Sequence, residues 1–173
     1  MTFFNPFGLV FMILIMVPNI IYAVKRKKNG VNDFSNLPQT KFWKIQQVFE
    51  QIGRYGCFAC MIFNIPGTYF GFASDNSFAI YLIVDFFLVV AYCVIWIFCF
   101  KKNNSVNNLF NAFLLSVLPS LVFLFSGILS HSLLLIFFAW VFAPCHIAIS
   151  VRSCIIKKWL IKWWKINIKL VQK

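Results

Sequence analysis

One carboxylate lies deep inside an apolar run of this sequence. Asp85 interrupts residues 78–100 at about seven positions, or ~10 Å of helix rise, from the start of that run. A charged carboxylate in hydrocarbon costs about 2.5–3.5 kcal/mol on insertion scales, so it must face other helices and either find a partner or hold a proton. Two roles are open for Asp85: a proton or cation relay, and a structural hydrogen bond between helices.

Three other polar side chains lie within apolar runs and complete a candidate intramembrane site with Asp85. Asn64 and Asn19 each lie beside a proline, which frees a backbone carbonyl one turn earlier and can break a helix at a substrate site. His146 also follows a proline and, by its depth, could meet Asn19. No metal site is expected, because His131, the second histidine, belongs to a different turn.

A charged pair precedes the second apolar run. Glu50 and Arg54 are spaced i, i+4, with the acid first, which favours an ion pair within one helix. We expect this pair at the inner mouth of the second span, where it is either structural or part of a gate.

A C-x-x-C motif at Cys57 and Cys60 resembles that of small helical membrane enzymes that pass electrons from thiols to quinones. Those enzymes keep the motif near the oxidising face of the membrane. Here Cys57 lies one helical turn from Arg54, so we predict the pair at the inner face, as reduced thiols. A membrane thiol oxidoreductase using Cys57 and Cys60 is therefore kept only as an alternative.

Four short sequence segments of the chain resemble those of a family of small, uncharacterised bacterial multi-span membrane proteins. They are Asn5-Pro6-Phe7-Gly8, Glu50-Gln51-Ile52-Gly53-Arg54-Tyr55-Gly56, Phe63-Asn64-Ile65-Pro66 and Phe142-Ala143-Pro144. The resemblance covers residues 5 to about 151 and implies a helical membrane fold. It implies no activity.

The elements that must position these residues are apolar helices. The 173 residues are 61% hydrophobic and 12% charged, which is half the charged share of roughly 25% found in soluble proteins. The sequence predicts an all-α membrane protein with one domain, residues 1–151, that forms a bundle of five transmembrane helices, each near the length needed to cross a ~30 Å core. The predicted spans are residues 7–24, 55–72, 78–100, 109–127 and 132–151.

The positive charges predict an orientation. If the N-terminus is outside, all 16 Lys and Arg fall in segments on the inner side, which is the bias that orients helices during insertion. The first helix is followed at once by the basic residues 25–28, so it is a retained span and not a signal peptide. We predict a multi-pass protein of the cell membrane, with its N-terminus outside and its C-terminus cytoplasmic. Topology explains the net charge of +12 better than nucleic-acid binding does.

The C-terminal segment 152–173 predicts a basic amphipathic helix at the inner interface. On a helix its lysines fall within one arc, with tryptophans and aliphatic residues largely opposite. Such a helix lies in the membrane surface and contacts anionic inner-leaflet lipids. The expected interface residues are Lys157, Lys158, Trp159, Lys162, Trp163, Lys165 and Lys169.

These patterns favour an integral membrane protein that is not an enzyme. No nucleophile elbow, phosphate loop or paired-carboxylate motif is present in the sequence, and no cofactor is expected. We predict an accessory, immunity or assembly subunit that acts through helix–helix contacts with another membrane protein or with a second copy. The first alternative is a small oligomeric transporter or channel using Asp85, Asn64 and Asn19.

Overall fold

A computed structural model describes residues 3–28, 40–101 and 109–171. Within these ranges the chain forms five α-helices and two isolated antiparallel bridges. The helices are α1 (Pro6–Lys28), α2 (Lys41–Ile62), α3 (Asp75–Lys101), α4 (Leu109–Leu129) and α5 (Leu133–Val171). The prediction of an all-helical fold is confirmed.

Four helices are long and apolar enough to cross a membrane, which confirms the predicted multi-pass membrane character. These spans are Pro6–Lys25, Asp75–Lys101, Leu109–Leu129 and Leu133–Ile156. They lie on α1, α3, α4 and α5, where four of the five predicted spans were placed. The helix α2 is not among them, because glutamines and charged residues along it lower its mean hydropathy.

The helices pack as a ring in the order α1, α3, α4, α5, α2, and α2 closes the ring against α1. Helices that follow one another in the chain run antiparallel. Large side chains fill much of the interior of the ring, and Tyr81, Tyr92, Phe123 and Leu135 are almost fully buried there. The ring therefore brings residues that are far apart in sequence to one central space.

One end of the bundle, which we call the loop end, is closed by short connections. Here α1 and α3 begin and α2 ends, and residues 63–74 lie against residues 130–132. The Leu133 amide donates to the Thr68 carbonyl at 2.9 Å, and Tyr69 forms a bridge with Ser132. Gly67 turns the chain with a φ of 83°, which glycine adopts without strain.

The opposite end, which we call the basic end, carries positive charge. Here α1 and α3 end and α2 begins. The Lys25 ammonium lies 4.9 Å from the centre of the Phe100 ring, and the Arg152 guanidinium lies 4.6 Å from that of Trp43. These cation–π contacts join α1 to α3 and α5 to α2.

The second helix differs from the predicted span at residues 55–72. It begins at Lys41 and ends at Ile62, and residues 63–74 are not helical. Pro66 lacks a backbone donor and disfavours helical conformation at Ile65, so the apolar run cannot continue as helix. The periodic residues 42–54, interpreted as an approach to the span, are instead the first half of the helix.

The C-terminal tail is not a separate helix. α5 runs unbroken to Val171, because residues 145–171 hold no glycine or proline that would end it. Among the side chains proposed for the membrane interface, that of Trp159 is described and is 68% exposed. The other six, on residues 157, 158, 162, 163, 165 and 169, lie outside the described side chains.

Candidate functional site

A cavity of about 1120 Å³ lies inside the ring towards the basic end. All five helices contribute to its walls, and we call it the central cleft. Its polar lining includes Asn19 of α1, Tyr92 of α3, His146 of α5, and the pair Glu50 and Arg54 of α2. Two of the four residues proposed as an intramembrane polar site, Asn19 and His146, therefore share one cavity.

Glu50 is the centre of a charged cluster, which we call the Glu50 cluster and which also contains Arg54 and His146. The Arg54 guanidinium pairs with Glu50 Oε1 one turn away, as the i, i+4 spacing predicted. His146 Nδ1 lies 3.0 Å from the same oxygen. Because a carboxylate accepts and does not donate, Nδ1 carries the proton of this hydrogen bond. The contact between Glu50 and His146 joins α2 to α5.

Gly53 permits this contact between helices. A Cβ added at Gly53 would lie 2.8 Å from the backbone nitrogen of Phe142, closer than real Cβ contacts. The missing side chain lets α2 approach α5 closely enough for short side chains to reach across. The Phe142 ring stacks on the His146 imidazole with centroids 4.6 Å apart, which fixes the orientation of the ring.

Asn19 and Tyr92 form a second polar contact on another wall of the cleft. The Tyr92 hydroxyl donates to Asn19 Oδ1 at 2.8 Å, and Asn19 Nδ2 donates to the Ile15 carbonyl at 3.1 Å. Both hydrogen-bonding groups of the Asn19 amide are therefore satisfied. Asn19 positions Tyr92 and ties α1 to α3.

The Glu50 cluster lies near the middle of the bundle, deeper within it than expected for a second span that begins at residue 55. Glu50 is about nine residues, or ~14 Å, from the start of α2 and ~18 Å from its end. His146 lies ~20 Å along α5 from Leu133. The difference follows from the start of α2, because a helix that begins at Lys41 carries Glu50 and Arg54 well inside the bundle.

Asp85 occupies a separate, fully buried position on α3. It is 0% exposed, and Ser126 of α4 donates its hydroxyl to Asp85 Oδ2. Asp85 Oδ1 has no hydrogen-bond partner among the described residues. Asp85 does not line the central cleft, so its contact with Ser126 links α3 to α4 away from the Glu50 cluster.

Asn64 lies in the segment after α2 and not within a broken helix. Its backbone amide donates to the Phe3 carbonyl at 2.8 Å, and the residue is 8% exposed. The three residues proposed for a transporter, Asp85, Asn64 and Asn19, are thus not brought together. Asn19 alone of the three lines the cleft.

The C-x-x-C pair lies in the last two turns of α2, towards the loop end. Because α2 starts earlier than expected, the pair lies at the opposite end of the bundle from Lys25. Cys57 is 0% exposed and Cys60 is 5% exposed, and both are free thiols. Neither lines the cleft.

Sequence reasoning missed Tyr92 and the polar stripe of α2. The stripe consists of Lys44, Gln47, Gln51 and Arg54, which all line the cleft. Their spacing of three, four and three residues is typical of one helix face, so the signal was present. Tyr92 gave no such signal, because it lies alone in an apolar run. In the described part of the chain no group of His, Cys, Asp and Glu could hold a metal ion.

Comparisons of the chain with protein-family models, curated proteins and solved structures find no match.

Proposed function

We propose that α2 is a fifth transmembrane helix, with the N-terminus outside and the C-terminus in the cytoplasm of a bacterial cell. The face of α2 that is exposed away from the cleft supports this, because it is apolar: Phe42, Ile45 and Phe49 are 70%, 54% and 50% exposed and do not line the cleft. A helix in water turns such residues inward. Here the polar stripe faces the cleft instead, which suits a helix whose outer face contacts hydrocarbon.

We propose further that the protein is a non-catalytic membrane protein that binds an anionic ligand in the central cleft. The observation that carries this proposal is that Arg54 lies on the cleft wall with hydrogen-bond donors that its pairing with Glu50 does not use. Its guanidinium uses Nη2 to contact Glu50, and the side chain remains 35% exposed on the cleft wall. Arginine has five donors in a planar fork, so other N–H groups of Arg54 are open to a phosphate or carboxylate.

The charges around the cleft favour an anion over a cation. Among the residues that the structure describes, Glu50 is the one carboxylate on the cleft wall, and both Arg54 and His146 already contact it. Lys44 lies on the same wall, and Lys25 and Arg152 lie at the same end of the bundle. A basic mouth raises the local concentration of anions.

Mid-membrane ionisable residues usually face a water-filled cavity and mark a ligand or ion path. The Glu50 cluster satisfies this description better than Asp85, which lies outside the cleft. We therefore propose that the protein is an accessory or assembly subunit. Its contacts with a partner protein depend on whether a ligand is bound at Arg54 in the cleft.

Calorimetric titration of the purified protein with butyl phosphate tests this proposal. Wild type should bind butyl phosphate and should not bind butanol. Hydrogen bonds to charged groups contribute about 1.5–3 kcal/mol, so Arg54→Gln should weaken binding roughly tenfold to a hundredfold. Lys25→Gln is the matched control, since it removes a positive charge from the same end without altering the cleft wall. Equal affinity of wild type and Arg54→Gln would refute the proposal.

Transport is a second candidate, favoured by a cleft that reaches mid-bundle from the basic end while connections close the loop end. In this candidate Arg54 and Asn19 replace the set Asp85, Asn64 and Asn19. Phosphate flux in proteoliposomes that Arg54→Gln removes and Asp85→Asn leaves intact would support it. Absence of flux from the wild type would leave binding alone.

A further inference from the structure

The helices α1 and α2 form two neighbouring walls of the cleft. They contact each other at the loop end and separate towards the basic end. At the loop end the Asn5 amide donates to the Ile62 carbonyl at 2.8 Å, and a Cβ added at Gly8 would clash with the Met61 carbonyl. Towards the basic end, residues of both helices line the cleft instead. The two helices therefore diverge towards the basic end, with a gap between them.

The residues of α1 and α2 that border this gap are exposed and apolar. Ile20 on α1 is 53% exposed and Val48 on α2 is 57% exposed, yet both line the cleft. Ile52 and Tyr55 continue the α2 edge deeper into the bundle. Around the axis of α2, Val48 lies between the polar stripe and Ile45, which is exposed and does not line the cleft, so Val48 lies at the rim of an opening. The opening therefore runs along the side of the bundle, where a membrane helix contacts hydrocarbon.

Beside this apolar rim runs the polar stripe of α2. Lys44 lies nearest the basic end, Gln47 and Gln51 follow, and Arg54 lies deepest. The stripe descends about ten residues, or ~15 Å, into the bundle. A ligand in this space meets polar and basic groups on one side and an apolar opening on the other.

We propose that the occupant of the cleft is a membrane phospholipid with a net anionic headgroup, which enters sideways between α1 and α2. The inference rests on the proposed anion site at Arg54 and names the source of the anion. The headgroup phosphate contacts Arg54 at the deep end of the polar stripe, and Lys44, nearer the basic end, disfavours a headgroup that also carries a positive charge. The acyl chains pass between Ile20 and Val48 and stay in hydrocarbon. A free phosphate could bind along the polar stripe without the lateral opening, whereas a lipid requires both.

Native mass spectrometry of delipidated protein tests this inference. The protein, in non-ionic detergent, is offered equal amounts of phosphatidylglycerol and phosphatidylcholine with identical chains. Wild type should retain phosphatidylglycerol at least fivefold over phosphatidylcholine, and Arg54→Gln should lower this ratio. The basic tail also retains anionic lipid, but it is the same in every variant, so the fall in the ratio from wild type to Arg54→Gln reports on the cleft.

The lateral path is tested by filling the opening. Ile20→Trp should retain less phosphatidylglycerol than wild type, whereas Val17→Trp should retain as much, because Val17 is 46% exposed against 53% for Ile20 but lies outside the cleft. If Ile20→Trp does not fold, Val48→Trp fills the opposite rim. Retention by both rim variants at the wild-type level would overturn the lateral path.

The butyl phosphate titration separates the two proposals. Butyl phosphate bound through Arg54, with no preference for phosphatidylglycerol, overturns the lipid inference and leaves the anion site standing. Loss of both kinds of binding overturns both. Retention of phosphatidylcholine equal to that of phosphatidylglycerol overturns the assignment of an anionic lipid.

Discussion

The His146 imidazole donates a hydrogen bond from Nδ1 to Glu50 Oε1 across 3.0 Å, and this bond joins α5 to α2 in the middle of the bundle. The two residues are 96 positions apart in the chain. Their meeting depends on Gly53, which allows the two helices to approach closely. Arg54 shares the same carboxylate oxygen, so the orientation of its guanidinium depends on both neighbours.

The coupling between Glu50 and His146 is measurable. Residues in one hydrogen-bond network give interaction energies of about 0.5–3 kcal/mol in a double-mutant cycle. We expect Glu50→Gln and His146→Phe to be coupled within this range when unfolding is followed in mixed detergent micelles. The pair Asp85→Asn and His146→Phe is the control and should be additive, because Asp85 lies outside the cluster. Additive effects of Glu50→Gln and His146→Phe would contradict the contact.

The close approach of α2 and α5 predicts the cost of a single methyl group. Gly53→Ala places its Cβ against the Phe142 backbone, which cannot yield as a flexible side chain can. We expect a loss of about 1–3 kcal/mol in the free energy of unfolding, as for other overpacked sites.

The control for that substitution is Ala59→Val, which adds volume on the exposed face of the same helix and should change stability by less than about 0.5 kcal/mol. A Gly53→Ala protein as stable as wild type would show that α2 and α5 are further apart than the structure places them.

Asp85 is predicted to serve structure and not function. Asp85→Asn keeps the volume of the side chain and its ability to accept from Ser126, so stability should change by no more than about 1 kcal/mol, the usual size of interhelical polar contacts. Butyl phosphate binding should be unchanged, because Asp85 is outside the cleft. Asp85→Leu, which removes the acceptor, should cost more than Asp85→Asn. A folded Asp85→Asn protein that has lost ligand binding or flux would reverse our ranking of the two roles.

The orientation of the bundle is predicted from the positive residues. Reporter fusions after Lys173 should be active in the cytoplasm, and fusions before Met1 should be active outside. Replacing Lys25 and the three basic residues after it with glutamine should weaken this preference, since basic residues beside the first span dominate orientation. A wild-type C-terminal reporter that is active on the outer face would refute the predicted orientation, in which five spans begin outside and end in the cytoplasm.

Much of the fold could be predicted from the sequence, because hydrophobic runs in a membrane protein must satisfy their backbone groups internally as helices. The second helix could not be placed by hydropathy. Because its polar stripe faces a cavity, the hydropathy of α2 resembles that of a helix outside the membrane. The apolar residues after it are not helical, because Pro66 prevents the helix from continuing. The predicted ion pair Glu50–Arg54 is present, but its depth depended on where α2 begins.

The site was predicted only in fragments for a related reason. Spacing along one helix shows which residues share a face, and it identified Glu50 with Arg54. It does not show which faces of different helices meet. The contacts of His146 with Glu50 and of Tyr92 with Asn19 depend on the order of helices in the ring, which no pattern within one helix records.

Contact between Arg54 and a bound phosphate is the central claim, and magnetic-resonance dipolar coupling between phosphorus and nitrogen measures it directly. The protein is labelled with ¹⁵N in arginine side chains and loaded with butyl phosphate in bilayers. A charge-assisted hydrogen bond places a guanidinium nitrogen about 4 Å from phosphorus. We predict a coupling that corresponds to this distance in wild type and in Arg152→Lys, and its loss in Arg54→Lys. A coupling that persists in Arg54→Lys, or no coupling in loaded wild type, would contradict the account.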